Sequence, residues 1–364
     1  MRILYDHQMF LIQKYGGITK YFCELIKNLS PEHQFNLSVL FSDNQHLKDD
    51  RKIFRKIYIP MPNNDFRGKS FLKRNAYNIN KLCSRYHISL TNYDILHPTY
   101  YDTYFLNNLK KPYIITVHDL IEFKFKEQYK NNSRIPQMKQ IIKKANRIIS
   151  VSENTKKDLI EIFNVNPNKI DTIYHGFNKP VLNENINIFG RYILFVGIRE
   201  GYKNFAIFIK AVSIILKKDK DLKLICVGKP FKKEELEHLR NLAILENTIV
   251  IGANENKLND LYSNALVFVY PTLYEGFGMP ILEAFANNCP VCLSNTSSLP
   301  EIAGDAGVYF DPTDQDSIST AIEKVIYDTN YKNKIINAGN LRLSNFSWKK
   351  CSEQTVDAYK LTLQ

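Results

Sequence analysis

The sequence predicts an α/β protein of two domains, each a parallel sheet covered by helices on both faces. Short apolar runs of strand length alternate with amphipathic segments almost throughout, as parallel strands joined by helical crossovers require. That pattern runs twice. Between residues 175 and 190 the periodicity lapses and asparagine and proline accumulate, which marks a linker. Length agrees, because 364 residues with 44% hydrophobic content exceed what one core normally holds. The boundaries that follow are a first domain over residues 1–178, a second over 190–345 and a closing helix over 348–364.

In the first half, apolar runs place strands at residues 3–5, 35–41, 95–97, 113–117, 147–151 and 172–174. Helices fill the intervals, notably 18–29 and 152–163, the latter with Ser152 as N-cap and charged residues along one face. The second half restarts with Tyr192-Ile-Leu-Phe-Val-Gly197 and a helix near 205–217. Strands follow at 222–228, 248–252, 266–270 and 290–294. Each ends in glycine or polar residues, at the edge where open parallel sheets present ligands. Residues 317–327 and 348–363 read as helices.

Net charge is +12 and unevenly spread. Residues 1–180 hold 29 Lys and Arg against 16 Asp and Glu, whereas residues 181–364 hold 20 against 21. The excess concentrates at 51–56, 67–74 and 124–147, where aromatic and aliphatic residues interleave with the bases. Such clusters suit an anionic membrane surface or a phosphate-bearing acceptor. No zinc-finger, RNA-recognition or helix-turn-helix pattern accompanies them, so nucleic acid is not the expected partner. Apolar runs stay short of a membrane span and the chain opens on a strand, so the expected location is cytoplasmic, with peripheral attachment to the inner face of the cell membrane as an option. Six scattered cysteines suit reduced, buried thiols. Cys289-Pro-Val-Cys292 lacks a second ligand pair at zinc spacing and reads as part of a buried strand.

Four motifs carry chemistry. In Tyr270-Pro-Thr-Leu-Tyr-Glu-Gly-Phe-Gly-Met-Pro-Ile-Leu-Glu283, a buried strand meets a glycine turn and a helix start, with Glu275 and Glu283 on either side. Amides at such a start attract a diphosphate, while Glu275 can accept hydrogen bonds from sugar hydroxyls and Glu283 from a ribose. Arg199 and Lys203 flank a glycine after another strand, where two cations can hold a diphosphate and stabilise the charge that develops as a glycosidic bond breaks. Lys14-Tyr-Gly-Gly17 precedes a helix and lets backbone approach a phosphate or sugar, although it lacks the fingerprint of a P-loop. His118 closes an apolar strand and can hydrogen-bond a substrate hydroxyl or exchange a proton; His97 and His175 share that kind of position and rank below it. The triplets Asp219-Lys-Asp221 and Asp314-Gln-Asp316 are discounted as metal sites, the first as a helix end and the second as a helix cap.

Together these motifs resemble the retaining glycosyltransferases of family four, of GT-B fold, a group that includes bacterial O-antigen and polysaccharide mannosyltransferases. The resemblance runs from Lys14-Tyr-Gly-Gly-Ile-Thr through Val117-His-Asp, Tyr174-His-Gly-Phe, Phe195-Val-Gly and Tyr270 to Glu283, and on to Phe346-Ser-Trp. It implies two Rossmann-like domains facing across a cleft, with the closing helix packed back on the first. It further implies that Glu275 contacts the donor sugar, Glu283 the ribose, and Arg199 and Lys203 the diphosphate. Backbone at Phe277, Gly278 and Met279 would hold sugar and phosphates, Gly17 would border the diphosphate, and His118 would lie near the sugar or acceptor. Arg199 is the least secure, since its spacing before the lysine varies among relatives. The implied reaction retains the anomeric configuration through an ion pair attacked on the leaving-group face, and needs no metal or other cofactor. The expected activity is transfer of a hexose, mannose from GDP-mannose foremost, to a saccharide or polyprenyl-diphosphate-linked acceptor in cell-surface polysaccharide synthesis. The alternatives are a UDP- or dTDP-sugar donor, a non-catalytic sugar-nucleotide-binding subunit, and a same-fold epimerase or phosphorylase.

Overall fold

The computed structural model describes residues 1–54, 58–62, 67–130, 132, 134–180 and 189–364. The chain divides into two compact units, one comprising Met1–Gly176 and Ser347–Gln364, the other Phe177–Phe346. Most of the expected linker, residues 181–188, and positions 55 and 56 of the first basic run lie outside the described residues.

The first unit contains β1 (Arg2–Tyr5), β2 (Gln34–Leu37), β3 (Phe41–Ser42), β4 (Ile59–Pro60), β5 (Ile95–His97), β6 (Ile114–Val117), β7 (Arg147–Ser150) and β8 (Ile170–Thr172). Parallel pairing gives the orders β2-β1-β5 and β6-β7-β8. The two sets meet through a bridge between Leu96 and Tyr113. Residues on β1 alternate between two cores, Ile3 and Tyr5 entering one and Leu4 the other, as the two-residue strand period demands. The strand expected over 35–41 is divided, because the buried Asn80 side chain replaces a strand partner there. Its Oδ1 accepts from Leu40 N at 2.6 Å and Phe41 N at 3.0 Å, and its Nδ2 donates to Phe41 O at 2.8 Å. The last strand begins two residues earlier than expected, at Ile170, in register with Ile148 of β7.

In the second unit β9 (Tyr192–Val196), β10 (Lys223–Val227), β11 (Thr248–Ile251), β12 (Val267–Tyr270), β13 (Val291–Ser294) and β14 (Gly307–Phe310) form one parallel sheet. Its order is β11-β10-β9-β12-β13-β14. The chain winds outward from β9 to β11, then returns to lay β12 on the other side of β9. This reversal opens a crevice beyond the carboxyl ends of β9 and β12, the place where doubly wound sheets bind ligands. β12 and β13 are buried along their whole length, so they read as continuous apolar runs. Edge strand β14, with Tyr309 36% exposed, carried no such signal.

The helix Trp348–Leu363 belongs to the first unit. Ser347 caps it, Ser352 Oγ donates to Leu25 O at 3.3 Å, and Tyr359 and Tyr5 hydroxyls lie 3.0 Å apart. Gly176 is required beneath its start, where a Cβ would fall 2.1 Å from Trp348 N.

Candidate active site

The crevice of the second unit is framed by the turn after β9 and the loop between β12 and the helix Met279–Ala286. Both are pinned by polar contacts. Leu273 N donates to Tyr202 O at 2.7 Å, and buried Asn204 donates to Pro271 O at 3.1 Å and Pro312 O at 2.7 Å. Ser297 Oγ accepts from Glu275 N, and Ser298 Oγ donates to Glu275 O and Phe277 O, all at 3.0 Å. These bonds satisfy buried loop backbone that would otherwise oppose burial. Gly278, with φ +103, is the N-cap; a side chain there would be strained and would press on Ile281 and Leu299. Met279 is then the first helical residue and Pro280 the second, a position that tolerates a missing N–H.

Lys203 and Glu275 meet in this frame, Nζ to Oε1 at 2.5 Å, with side chains only 13% and 12% exposed. The Lys203 ammonium also lies 3.3 Å from the Tyr270 hydroxyl and over the rings of Tyr202 and Tyr270. Burial, and after it the Glu275 charge, hold the Tyr270 phenol well above its ordinary pKa, so it remains a protonated donor. Glu283 sits in the second turn of the helix, which begins at Met279; its Oε2 accepts from Tyr262 OH at 3.1 Å.

Arg199 has other partners. Its guanidinium is bidentate with Glu235, at 2.7 and 3.2 Å, donates to Lys229 O and Pro230 O, and stacks on Phe231 at 4.6 Å. With its side chain 5% exposed, it ties the loop after β10 to the helix Lys233–Asn241. Glu235 and two carbonyls thus occupy the donors that, beside Lys203, were expected to hold a diphosphate. Against the burial cost, that pairing holds the Glu235 carboxyl below its ordinary pKa.

In the first unit Gly17 opens the helix Gly17–Lys27, with open space where a Cβ would project. His118 follows β6 and stacks on His175, ring centroids 5.6 Å apart, with Tyr21 edge-on at 5.1 Å. Its Nε2 is buried without a hydrogen-bond partner among the described residues. Burial first, then the neighbouring histidines, push its pKa well below the usual value, so it is neutral near pH 7. His97 is structural: its two nitrogens meet Tyr359 OH at 2.7 Å and Thr116 Oγ1 at 2.9 Å.

The reversal between β1 and β5 carries a carboxylate that no sequence motif announced. Asp6, 1% exposed, accepts from Thr99 N, Thr99 Oγ1, Gln8 Nε2 and Tyr104 OH at 2.7–3.1 Å. The discounted aspartates are likewise engaged. Asp219 pairs with Arg191 and accepts from Tyr327 OH, and Asp314 caps the helix Gln315–Tyr327. Cys289 and Cys292 are buried, and burial raises both thiol pKa values.

Comparison with known proteins agrees with this architecture. Residues 15–179 match the family model described as Glycosyltransferase Family 4, and residues 183–342 the model described as Glycosyl transferases group 1. O-antigen chain mannosyltransferase B of Escherichia coli is 28% identical over 378 residues, covering 95% of this chain and 96% of that one. Among solved structures, a glycosyltransferase from Rickettsia africae ESF-5 superposes with a TM-score of 0.68 at 18% identity, covering 100% and 98% of the two chains. Anabaena HepE, in complex with UDP-glucose, reaches 0.73 at 16% identity and 98% coverage of each. With a doubly wound sheet in the second unit, a charged pair at its switch point and the two family models spanning nearly the whole chain, the protein belongs to the family-four, group-1 glycosyltransferases of GT-B fold. It is an enzyme that transfers sugar.

Proposed function

We propose that the chain moves mannose from GDP-mannose onto a saccharide or polyprenyl-diphosphate-linked saccharide, with retention at the anomeric carbon, in the synthesis of a cell-surface polysaccharide. The observation that carries this reading is the buried Lys203–Glu275 pair at the β9–β12 crevice. Lys203 neutralises charge on the departing diphosphate, and Glu275, aligned by Ser297 and Ser298, accepts hydrogen bonds from the hexose hydroxyls. The bond from the anomeric carbon to the diphosphate oxygen breaks with its electron pair on oxygen. The acceptor oxygen then bonds to that carbon from the same face and passes its proton to the leaving group. Glu283 holds the ribose, and backbone at Phe277, Gly278 and Met279 holds sugar and phosphates. From the first unit, Gly17 borders the diphosphate and neutral His118 hydrogen-bonds sugar or acceptor through Nε2. Arg199 acts as a positioning residue for the loop after β10. No metal takes part, because Lys203 and helix-start amides supply the positive potential.

The donor rests on likeness to the Escherichia coli mannosyltransferase; the HepE complex supports a UDP-sugar as the second reading. Purified protein given radiolabelled GDP-mannose, UDP-glucose or dTDP-rhamnose, a lipid-linked acceptor and excess EDTA separates the possibilities. The expected result is mannosylated lipid from GDP-mannose alone, undiminished by EDTA and lost in Glu275→Ala. Donor binding without transfer to any acceptor would instead mark a non-catalytic subunit.

A further inference from the structure

The helix Lys69–Leu90 is inside out. Its buried residues are Ala76, Asn80, Ser84 and Ile88, spaced four apart on one face, and two of these are polar. Asn80 bonds to Leu40 and Phe41 backbone, and Ser84 Oγ to Ser38 O and His7 Nδ1. Apart from Ile88, most of its large apolar residues face outward. Phe71 is 62% exposed, Ile79 42%, Leu82 61%, Tyr86 59% and Leu90 70%. At 3.6 residues per turn these five fall within about 100° of one another, away from the buried face. Asn75 and Ser89 share that arc, and Asn78 lies at its border.

Charge selects what covers such a face. Residues 67–90 contain Arg67, Lys69, Lys73, Arg74, Lys81 and Arg85 and no Asp or Glu. Lys73 and Lys81 turn to Asp43 and Asp102, whereas Arg74 and Arg85 are exposed along one border of the apolar arc. An apolar stripe edged with cations is the signature of a helix lying in the interface of an anionic bilayer. No described helix is long and apolar enough to cross a membrane, and a helix lying flat needs no such length.

We propose that the outer face of this helix docks the enzyme on an anionic phospholipid surface, with Phe71, Leu82, Tyr86 and Leu90 entering the headgroup layer and Arg74 and Arg85 meeting lipid phosphates. The proposal extends the reading of a lipid-linked acceptor and is independent of donor identity. Flotation of the full chain with vesicles of mixed phosphatidylglycerol and phosphatidylcholine, and with phosphatidylcholine alone, tests it. Donor binding by calorimetry and sedimentation across a concentration series are measured on the same samples. The expected result is flotation with the mixed vesicles only, weakened about fivefold by Arg74→Gln or Arg85→Gln. Leu82→Ser combined with Leu90→Ser should weaken it about tenfold or more, with donor affinity and circular dichroism unchanged. Failure of donor-competent wild type to float, or flotation unaltered in the double variant, overturns the proposal. So does a dimer abolished by the double variant, which would assign the face to a second copy of the chain.

Discussion

At the winding reversal of each unit a carboxylate lies beside the strand ends, and the two are used differently. Asp6, at the ends of β1 and β5, accepts from five donors of its own unit and is buried to 1% exposure. Glu275, beyond β12, has one ammonium as its ion-pair partner, in a pair that keeps about an eighth of each side chain open. One carboxylate is fastened by hydrogen bonds from its own unit; the other is held by an ion pair. In the first unit a buried nitrogen without a hydrogen-bond partner among the described residues, His118 Nε2, follows the end of β6. Likeness of topology therefore does not transfer chemistry from one sheet to the other.

Lys203→Ala should break the comparison most severely. It leaves Glu275 buried without its cation, costing about 3 kcal/mol of stability, and removes charge from the leaving-group side, lowering kcat roughly a hundredfold or more. Calorimetric melting and initial rates check both, and Lys203→Arg should recover stability better than rate. Next in size, Gly176→Ala drives a Cβ into the Trp348 backbone and should destabilise the first unit by about 3 kcal/mol. Hydrogen exchange should rise in the helix Trp348–Leu363 while that of β9–β12 stays unchanged.

Acid separates the units by their histidines. Burial depresses His97 and His175 to about 3, and His118 well below its ordinary value, whereas the second unit holds a single histidine, His238. Between those depressed values and about 6.5 the unfolded chain binds more protons than the folded one, so stability falls as pH drops through that window. Each buried histidine adds up to about 1.4 kcal/mol per pH unit. Melting of the first unit should consequently fall relative to that of the second as pH drops from 7.5 to 5. The smallest effect is expected for Ser152→Ala, which removes the bond from Thr155 N to Ser152 Oγ and should cost about 1 kcal/mol in the first unit alone.

How much of this was legible in the sequence depends on chain distance. The loop and helix of the second unit were readable because strand, Gly278, Pro280 and both glutamates lie within fourteen consecutive residues, 270–283. Ser152 and the bounds of the closing helix were readable for the same reason, since caps and apolar periodicity are local. Asp6 was not, because Thr99 and Tyr104 reach it from 93 and 98 residues away. The pairing of Arg199 was hidden for the same reason. Its neighbours suggested a phosphate ligand, and Glu235, 36 residues downstream, takes the guanidinium. Asn80 divided the strand expected over 35–41 from 39 and 40 residues away, and a buried amide that substitutes for a strand partner leaves no local mark.

The most direct test of the central claim is calorimetric titration of the full chain with GDP-mannose, UDP-glucose and dTDP-rhamnose in the presence of an acceptor analogue, repeated with Lys203→Ala and Glu283→Ala. Tight binding of one donor, GDP-mannose, is expected, lost in both variants, with melting lowered less in Glu283→Ala than in Lys203→Ala. Undiminished binding in both variants, or binding of no donor by the wild type, would contradict a donor site built on the second unit.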